Sequence, residues 1–381
     1  ELIAARRMNI PVIERSVLLG ELTKQFSCSI AVSGTHGKTT TTSMISMIMI
    51  EAKTDPSIHI GGILKEIGGS TRVGKSKYFI TEACEYVESF LQLKPFLAVV
   101  LNIEEDHLDY YRDINHIKSS FSKFCRLVPD NGYVIACADN SNVMDVVKDL
   151  SCNVVTYGLN SPDAAWKAQN ITFDANGNAT YMLTFKGKNM GRIKLQVPGM
   201  HNVSNSLAAA AACHSIGVSI SDIAKGLKKF GGANRRFELK GIVHDIKVID
   251  DYAHHPTEIK ATLKAARNTA ASRVLCVFQP HTYSRTKALL DDFATAFSDA
   301  DKVIITDIYA ARETDPGDIN SSMVAKKIAE QGKSCIYISQ FADIVDYLKK
   351  EAAPGDIIIT VGAGNVLKVG EMFLESCNKS V

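Results

Sequence analysis

Ser29-Ile-Ala-Val-Ser-Gly34-Thr-His-Gly37-Lys38-Thr39-Thr40-Thr-Thr42 is the stretch that decides the fold. An apolar strand runs into two glycines, a Lys-Thr pair and then a helical segment. Strand, glycine turn and helix N-terminus in that order make a cradle for phosphate. Backbone N–H groups around Gly34 and Gly37 can face an anion, and glycine permits both the turn and the close approach of a ligand. Lys38 adds a point charge for terminal phosphates, and the Thr39 hydroxyl suits a magnesium ion. The strict pattern G-x-x-x-x-G-K-[ST] asks for glycine at position 32, where this chain carries Val32. The expected ligand is ATP with Mg2+, held by a variant of the usual phosphate loop.

Composition narrows the setting. A length of 381 residues suggests two or three domains, and 46% hydrophobic with 22% charged residues is ordinary for a globular chain. A formal net charge of +2 argues for neither a nucleic-acid nor a membrane partner. No apolar run reaches the length of a membrane span, so no membrane insertion is expected, and the start has no signal-peptide pattern. The nine cysteines are scattered without any Cys-x-x-Cys, which points to reduced thiols and a cytoplasmic location. Composition does not discriminate a monomer from a homodimer.

From Ser29 to about Phe230 the pattern is α/β. Strands are expected at Ser29–Val32, Tyr78–Thr81, Leu97–Leu101 and Gly132–Ala136, and helices at Thr39–Ala52, Ile114–Cys125 and Val143–Leu150. Such alternation implies a mostly parallel sheet. Between Ala168 and Val197 the reading changes to antiparallel hairpins, turned at Asp174-Ala-Asn-Gly-Asn and Lys186-Gly-Lys, a small sheet inserted into the main one or packed against it. An alanine-rich helix from about Val203 to Ser215 and another from about Ser221 to Phe230 follow, and Gly231-Gly232 reads as a hinge. Beyond it, strands at Ile246–Ile249, Val274–Phe278, Lys302–Thr306 and Ile357–Thr360 alternate with helices at Pro256–Arg267, Thr286–Ala296, Ser321–Gln331 and Phe341–Glu351. The expected organisation has three parts. Residues 1–26 are the exit of a preceding domain. Residues 27–232 form a central P-loop-like ATP-binding domain with a mostly parallel sheet plus a small antiparallel one. Residues 233–381 form a Rossmann-like α/β domain.

Six further clusters sit at expected strand or helix ends. In Thr81-Glu82-Ala-Cys-Glu85, a carboxylate at a strand end beside the phosphate loop is placed for a second magnesium ligand; Glu82 is the nearer of the two, a solvated loop acid being the alternative. Asn102-Ile-Glu-Glu-Asp-His107 crowds acids around a histidine able to bind metal or move a proton. His201, Asn202 and Asn205 open a helix, where amides can read the adenine edge or cap the helix. Arg235-Arg236 offers a cation for a transferring phosphoryl group, or a surface charge. Asp250-Asp251-Tyr252-Ala-His254-His255-Pro-Thr-Glu258 lacks the His-Glu-x-x-His spacing of a zinc helix and reads as a substrate loop. In His281-Thr-Tyr-Ser-Arg285 the guanidinium is a candidate carboxylate clamp.

Taken together, these stretches, with Pro198-Gly-Met-His-Asn and Val361-Gly-Ala-Gly-Asn, resemble the ATP-dependent Mur ligases of peptidoglycan synthesis, in order and over nearly the whole chain. The resemblance implies an ADP-forming ligase joining L-alanine to the carboxylate of UDP-N-acetylmuramate through an acyl phosphate; the alternatives are a sister activity, adding a preformed peptide to the same acceptor, and a truncated nucleotide-binding form without turnover. It implies that Gly34, Thr35, His36, Gly37, Lys38, Thr39 and Thr40 meet the ATP phosphates, with Thr39, Glu82 and His107 as magnesium ligands. It places His201, Asn202 and Asn205 at the adenine, Asp251 at the ribose, Arg236 at the phosphoryl group in flight, and Tyr252, His254 and Arg285 at the alanine and muramyl groups. Lys38, His107 and Arg236 become the expected catalytic residues. The family also carries an N-terminal UDP-binding domain, of which residues 1–26 resemble the exit.

Overall fold

The computed structural model describes residues 1–378. Among the described residues sixteen strands form two sheets. The first contains β1 (Cys28–Ser33), β2 (Ser57–Leu64), β3 (Gly69–Arg72), β4 (Tyr78–Glu82), β5 (Leu97–Val100), β6 (Tyr133–Cys137), β7 (Asn153–Tyr157), β8 (Trp166–Phe173), β9 (Asn178–Phe185) and β10 (Lys188–Pro198). Their order is β10-β9-β8-β7-β6-β5-β1-β4-β2-β3. Strand β1 lies inside this sheet, parallel to both β4 and β5, and every one of its residues is buried. Near-continuous apolar runs such as Leu97-Ala-Val-Val100 are what a parallel strand covered on both faces requires.

Register decides where the loops emerge. Val32 pairs with Glu82 and Ser33 with Val100, so the chain leaves the sheet at Gly34, Ala83 and Leu101 at nearly one level. Val32 is fully buried and belongs to the strand. The glycine missing from the strict phosphate-loop pattern is therefore a strand residue here, and the turn is the shorter one from Gly34 to Gly37. The helix that follows, Lys38–Glu51, is buried from Thr39 through Met49.

The hairpins expected after Ala168 are present as β8, β9 and β10. Hydrogen bonding carries them into the first sheet through the pairing of Tyr157 with Trp166. The buried Trp166 ring packs on Phe185 and His214, with centroids 4.7 and 5.1 Å away, which anchors the start of the hairpins. Strands β2, β3 and β7 were not legible in the sequence. In β2 the Gly61-Gly62 pair interrupts the alternation that marks a strand.

The second sheet contains β11 (Glu238–Val243), β12 (Ile246–Asp251), β13 (Val274–Phe278), β14 (Lys302–Ile305), β15 (Cys335–Tyr337) and β16 (Ile357–Val361), ordered β11-β12-β16-β13-β14-β15. Only β11 runs antiparallel to its neighbour. Successive side chains point to opposite faces. Ile357, Ile359 and Val361 join one apolar cluster with Phe278 and Phe297, while Ile358 joins another with Val248 and Phe373. Asp251 and Phe278 both pair with Val361, so the carboxyl ends of three strands coincide, where open α/β sheets place their ligands. The single helix expected at Thr286–Ala296 is two, Tyr283–Ala288 and Leu290–Ala294, broken at Leu289. A final helix, Leu367–Asn378, adds to the expected set.

The chain divides into two compact units. One comprises Glu1–Ala168, Leu183–Gly191 and Ser204–Leu227, and the other Gln169–Met182, Arg192–Val203 and Lys228–Val381. Among the described residues no helix is long and apolar enough to cross a membrane.

The helix Ile220–Lys229 supports the phosphate helix through a glycine contact. A Cβ built on Gly226 would lie 2.5 Å from the Ile48 Cα and 2.8 Å from its backbone nitrogen. Alanine is intrinsically the better helix former by about 1 kcal/mol. Overpacking against backbone costs about 1–3 kcal/mol and outweighs it. Gly226→Ala is therefore expected to lower the unfolding midpoint in denaturant with the slope unchanged; a raised midpoint would show that the two helices do not pack this closely.

Candidate active site

The phosphate loop is shaped by two glycines and pinned by its neighbour. Gly34 has φ +144° and Gly37 φ +84°, conformations that side-chain-bearing residues rarely adopt. There is no room for a side chain either. A Cβ on Gly34 would stand 2.9 Å from that of Leu101, and one on Gly37 would stand 2.8 Å from Oδ1 of Asn205. Asn102, first in the Asn-Ile-Glu-Glu-Asp-His stretch, straps the loop down. Its carbonyl accepts from the Thr35 N–H (3.1 Å), its Oδ1 accepts from the His36 N–H (2.7 Å), and its Nδ2 donates to the His36 carbonyl (3.1 Å). The Thr35 hydroxyl accepts from the Glu104 N–H at 2.9 Å. His36 Nε2 lies 3.4 Å from Glu104.

Lys38 curls back over this loop. Its ammonium donates to the Gly34 and Thr35 carbonyls (2.6 and 3.2 Å) and lies 2.9 Å from both carboxylate oxygens of Glu85. Burial pulls the lysine pKa down, but the neighbouring groups, Glu85 foremost with Cys84 and Glu82, together hold it above its ordinary value. Glu82, the expected partner of the loop, points elsewhere: its Oε1 accepts the Gly61 N–H at 2.7 Å. A Cβ on Gly61 would meet Glu82 Oε2 at 2.9 Å, and a Cβ on Gly62 would meet Thr39 Cγ2 at 2.9 Å. Thr39 and Glu82 thus rest on adjacent residues of one bare backbone segment. His107, itself at φ +53°, packs tilted against Tyr86 with ring centres 4.7 Å apart, and its Nε2 lies 3.9 Å from Glu85 and from Asp106.

The second unit carries the other cluster, beyond the end of β12. Two adjacent arginines take different roles. Arg235 is consumed by structure: it donates to buried Asp250 (2.8 Å) and to the carbonyls of Gly364 (3.0 Å) and Gly362 (2.7 Å). The Arg236 guanidinium makes no hydrogen bond among the described residues and lies 5.1 Å from the Tyr252 ring centre. Tyr252 lies 5.0 Å from Arg235 as well. Two cations against one aromatic ring leave that side chain little freedom.

Asp251 is buried. Its two oxygens accept the Ala253 and Phe237 N–H groups at 2.7 and 2.8 Å. Burial pushes its pKa up to about 6, with Arg236 and the backbone donors opposing. His201 is half-buried, and its removal from water drives its imidazole down to about 4 and leaves it neutral at pH 7. Asn202 donates its amide N–H to the Pro198 carbonyl (2.7 Å), a bond to the backbone just before the helix. His255 caps the helix Pro256–Arg267 reciprocally with Glu258. His254 Nδ1 lies 3.0 Å from the Tyr252 carbonyl and 3.5 Å from Glu258. Arg285 Nη1 lies 3.2 Å from His281 Nδ1, and the His281 ring stacks on Tyr309 at 5.7 Å.

Sequence reasoning undervalued Glu85 and did not assign Asn102. Both lie in motifs that the sequence displays, but which acid faces Lys38 depends on how the chain turns after β4. Tyr309 and Gln279 also went unnoticed; Gln279 ties Asn365 and the Val366 N–H to the end of β13.

The Asp251 carboxyl makes stability pH-dependent. Because its folded value is raised, the native protein binds more protons than the unfolded chain between about pH 4 and 6, and stability falls as pH rises through that window. The difference in unfolding free energy between wild type and Asp251→Asn should therefore shrink from pH 4 to 6.5, by on the order of 3 kcal/mol, and level off above. A pH-independent difference would mean that Asp251 is ionised at no cost.

Residues 32–213 match the family description Mur ligase middle domain, and residues 235–364 match Mur ligase, glutamate ligase domain. A UDP-N-acetylmuramate–L-alanine ligase of Acetivibrio thermocellus is 60% identical over 375 residues, 98% of this chain and 80% of the relative. Its counterpart in Caldanaerobacter subterraneus is 50% identical over 98% of this chain and 81% of that protein. Among solved structures, UDP-N-acetylmuramate-alanine ligase MurC from Thermotoga maritima superposes with a TM-score of 0.84 at 26% identity, covering all of this chain and 82% of that one. A murein peptide ligase from Psychrobacter arcticus gives 0.72 at 26% identity, covering all of this chain and 83% of that one. With middle-domain and glutamate-ligase-domain matches and a relative 60% identical over 98% of this chain, the chain belongs to the Mur ligase family.

Proposed function

We infer that this chain is the ATP-dependent ligase that joins L-alanine to the carboxylate of UDP-N-acetylmuramate in peptidoglycan precursor synthesis. The observation that carries this is the phosphate loop itself: a buried parallel strand ending in two glycines at positive φ, with Lys38 at the N-terminus of the buried helix. The alanine-ligase relatives at 60% and 50% identity give the substrates.

A carboxylate is a poor electrophile at neutral pH. Transfer of the γ-phosphoryl group of ATP to one of its oxygens releases ADP and makes an acyl phosphate. The alanine amine attacks the acyl carbon, and the tetrahedral intermediate collapses with loss of phosphate. Residues Gly34 to Thr40 cradle the ATP phosphates, with Lys38 as the charge among them. Arg236, its guanidinium free of hydrogen bonds among the described residues, steadies the phosphoryl group. Neutral His201 can donate and accept at the purine, with Asn202 and Asn205 near the same helix start. Each Asp251 oxygen already takes one backbone N–H and keeps a lone pair for a ribose hydroxyl. Arg285 clamps the alanine carboxylate, and Tyr252 and His254 shape its surroundings.

The Thr39 hydroxyl and Glu82 carboxylate are hard oxygens of the kind that suit Mg2+, and both rest on the same Gly61–Gly62 backbone. His107 is the third ligand that the family resemblance adds to them. When bound, the ion neutralises charge on the β- and γ-phosphate oxygens. All nine cysteines are free thiols, which supports a reducing cytoplasm. The proposed division is a central ATP-binding domain at 27–232 and a Rossmann-like domain at 233–381, the latter bringing Arg236 and Asp251 to ATP and Tyr252, His254 and Arg285 to the substrates.

Purified chain should form ADP and phosphate from ATP only when both L-alanine and UDP-N-acetylmuramate are present, with UDP-N-acetylmuramoyl-L-alanine as the product by mass. A tripeptide in place of L-alanine should give no turnover. Lys38→Ala should cost about 10^3-fold in kcat with the fold intact by circular dichroism. Turnover with the tripeptide but not with L-alanine would replace this reading with the sister activity. Full activity of Lys38→Ala would remove the phosphate-loop assignment.

A further inference from the structure

The Lys38 ammonium carries three protons and faces four oxygens within hydrogen-bonding distance: the Gly34 and Thr35 carbonyls and both oxygens of Glu85. In this arrangement no proton of Lys38 is left for a phosphate oxygen. Glu85 is held as firmly as the lysine. Its side chain is 4% exposed, and His107 Nε2 stands 3.9 Å away. The backbone keeps it in place. The Tyr111 hydroxyl donates to the Glu85 carbonyl, the Phe90 N–H donates to the Cys84 carbonyl at 2.9 Å, and Val87 and Glu88 turn the chain sharply at φ +49° and +55°. The carboxylate therefore cannot follow the lysine far.

We propose that Glu85 is a positioning residue that competes with the terminal phosphates of the nucleotide for the Lys38 ammonium, and so lowers nucleotide affinity in favour of product release. The proposal rests on the reading of Gly34–Thr40 as the nucleotide cradle. A phosphate that takes Lys38 leaves a buried carboxylate without its cation, and that cost is subtracted from binding. Charge-assisted hydrogen bonds are the strong ones, so the exchange is felt in the affinity. Glu82, only three residues earlier, takes none of the Lys38 protons: its Oε1 is held by the Gly61 N–H and it acts on the ammonium only through space.

Calorimetric titration of the full chain with ADP and with AMP, each with Mg2+, tests this, since AMP lacks the terminal phosphates. Glu85→Gln should tighten ADP about tenfold and leave AMP within about twofold, raising the ADP-over-AMP preference. The KM for ATP should fall with it while kcat does not rise. Glu85→Asp keeps the charge one methylene further back and should fall between; it decides by the same ratio if Glu85→Gln does not fold. In a Lys38→Met background the Glu85→Gln effect should vanish. An unchanged or reduced ADP-over-AMP preference in both Glu85 variants would overturn the proposal while leaving the nucleotide cradle intact. If Lys38→Met itself left that preference at its wild-type value, the cradle reading would fail first, and the proposal with it.

Discussion

The parallel register that brings the ends of β4, β1 and β5 to one level is the constraint on which the first centre depends. Val32 opposite Glu82 and Ser33 opposite Val100 mean that three loops leave the sheet together. One supplies the glycines and Lys38, one the two glutamates, and one Asn102 and His107. Backbone hydrogen bonds of a buried sheet set this spacing, and those bonds are obligatory because unpaired buried amides are costly. The polar chemistry at the loop tips is held at fixed distances by an apolar framework that takes no part in it.

The same logic orders the second centre. β12, β16 and β13 end together, and the Gly362–Gly364 backbone, beyond β16, accepts two of the hydrogen bonds from Arg235. Asp250 faces inward to Thr360 and Arg235, while Asp251, one residue on, is gripped by backbone N–H groups. Consecutive residues at the end of a strand point to opposite sides, so neighbours of the same chemical type acquire different duties. Arg235 and Arg236 divide in the same way.

Much of this was legible before any coordinates. The order strand, Gly34, Gly37, Lys38, helix has few other uses, and the alternation of strands and helices implies parallel sheets by length and period alone. Most of the expected helices begin and end within a few residues of those found, because their signals are local: Asn140, Asn320 and His255 each accept a backbone N–H at a helix start. What stayed hidden was non-local. Strand β2 has no clear alternation and is a strand because β4 and β3 pair with it.

Residue identity and spacing by themselves determined that a strand, a two-glycine turn and a helix opening with Lys38 follow in order, the basis of the phosphate cradle we propose, and that α/β sheets make up the fold. Only the tertiary structure decided which of two glutamates faces Lys38, which of two arginines keeps its hydrogen bonds free, and that Asn202 serves the backbone at Pro198. The reason is physical. A turn, a strand or a helix start is encoded in short-range sterics and hydrogen bonding, which a sequence displays. The partner of a charged side chain is set by which distant segment folds against it, and by how much water that segment excludes.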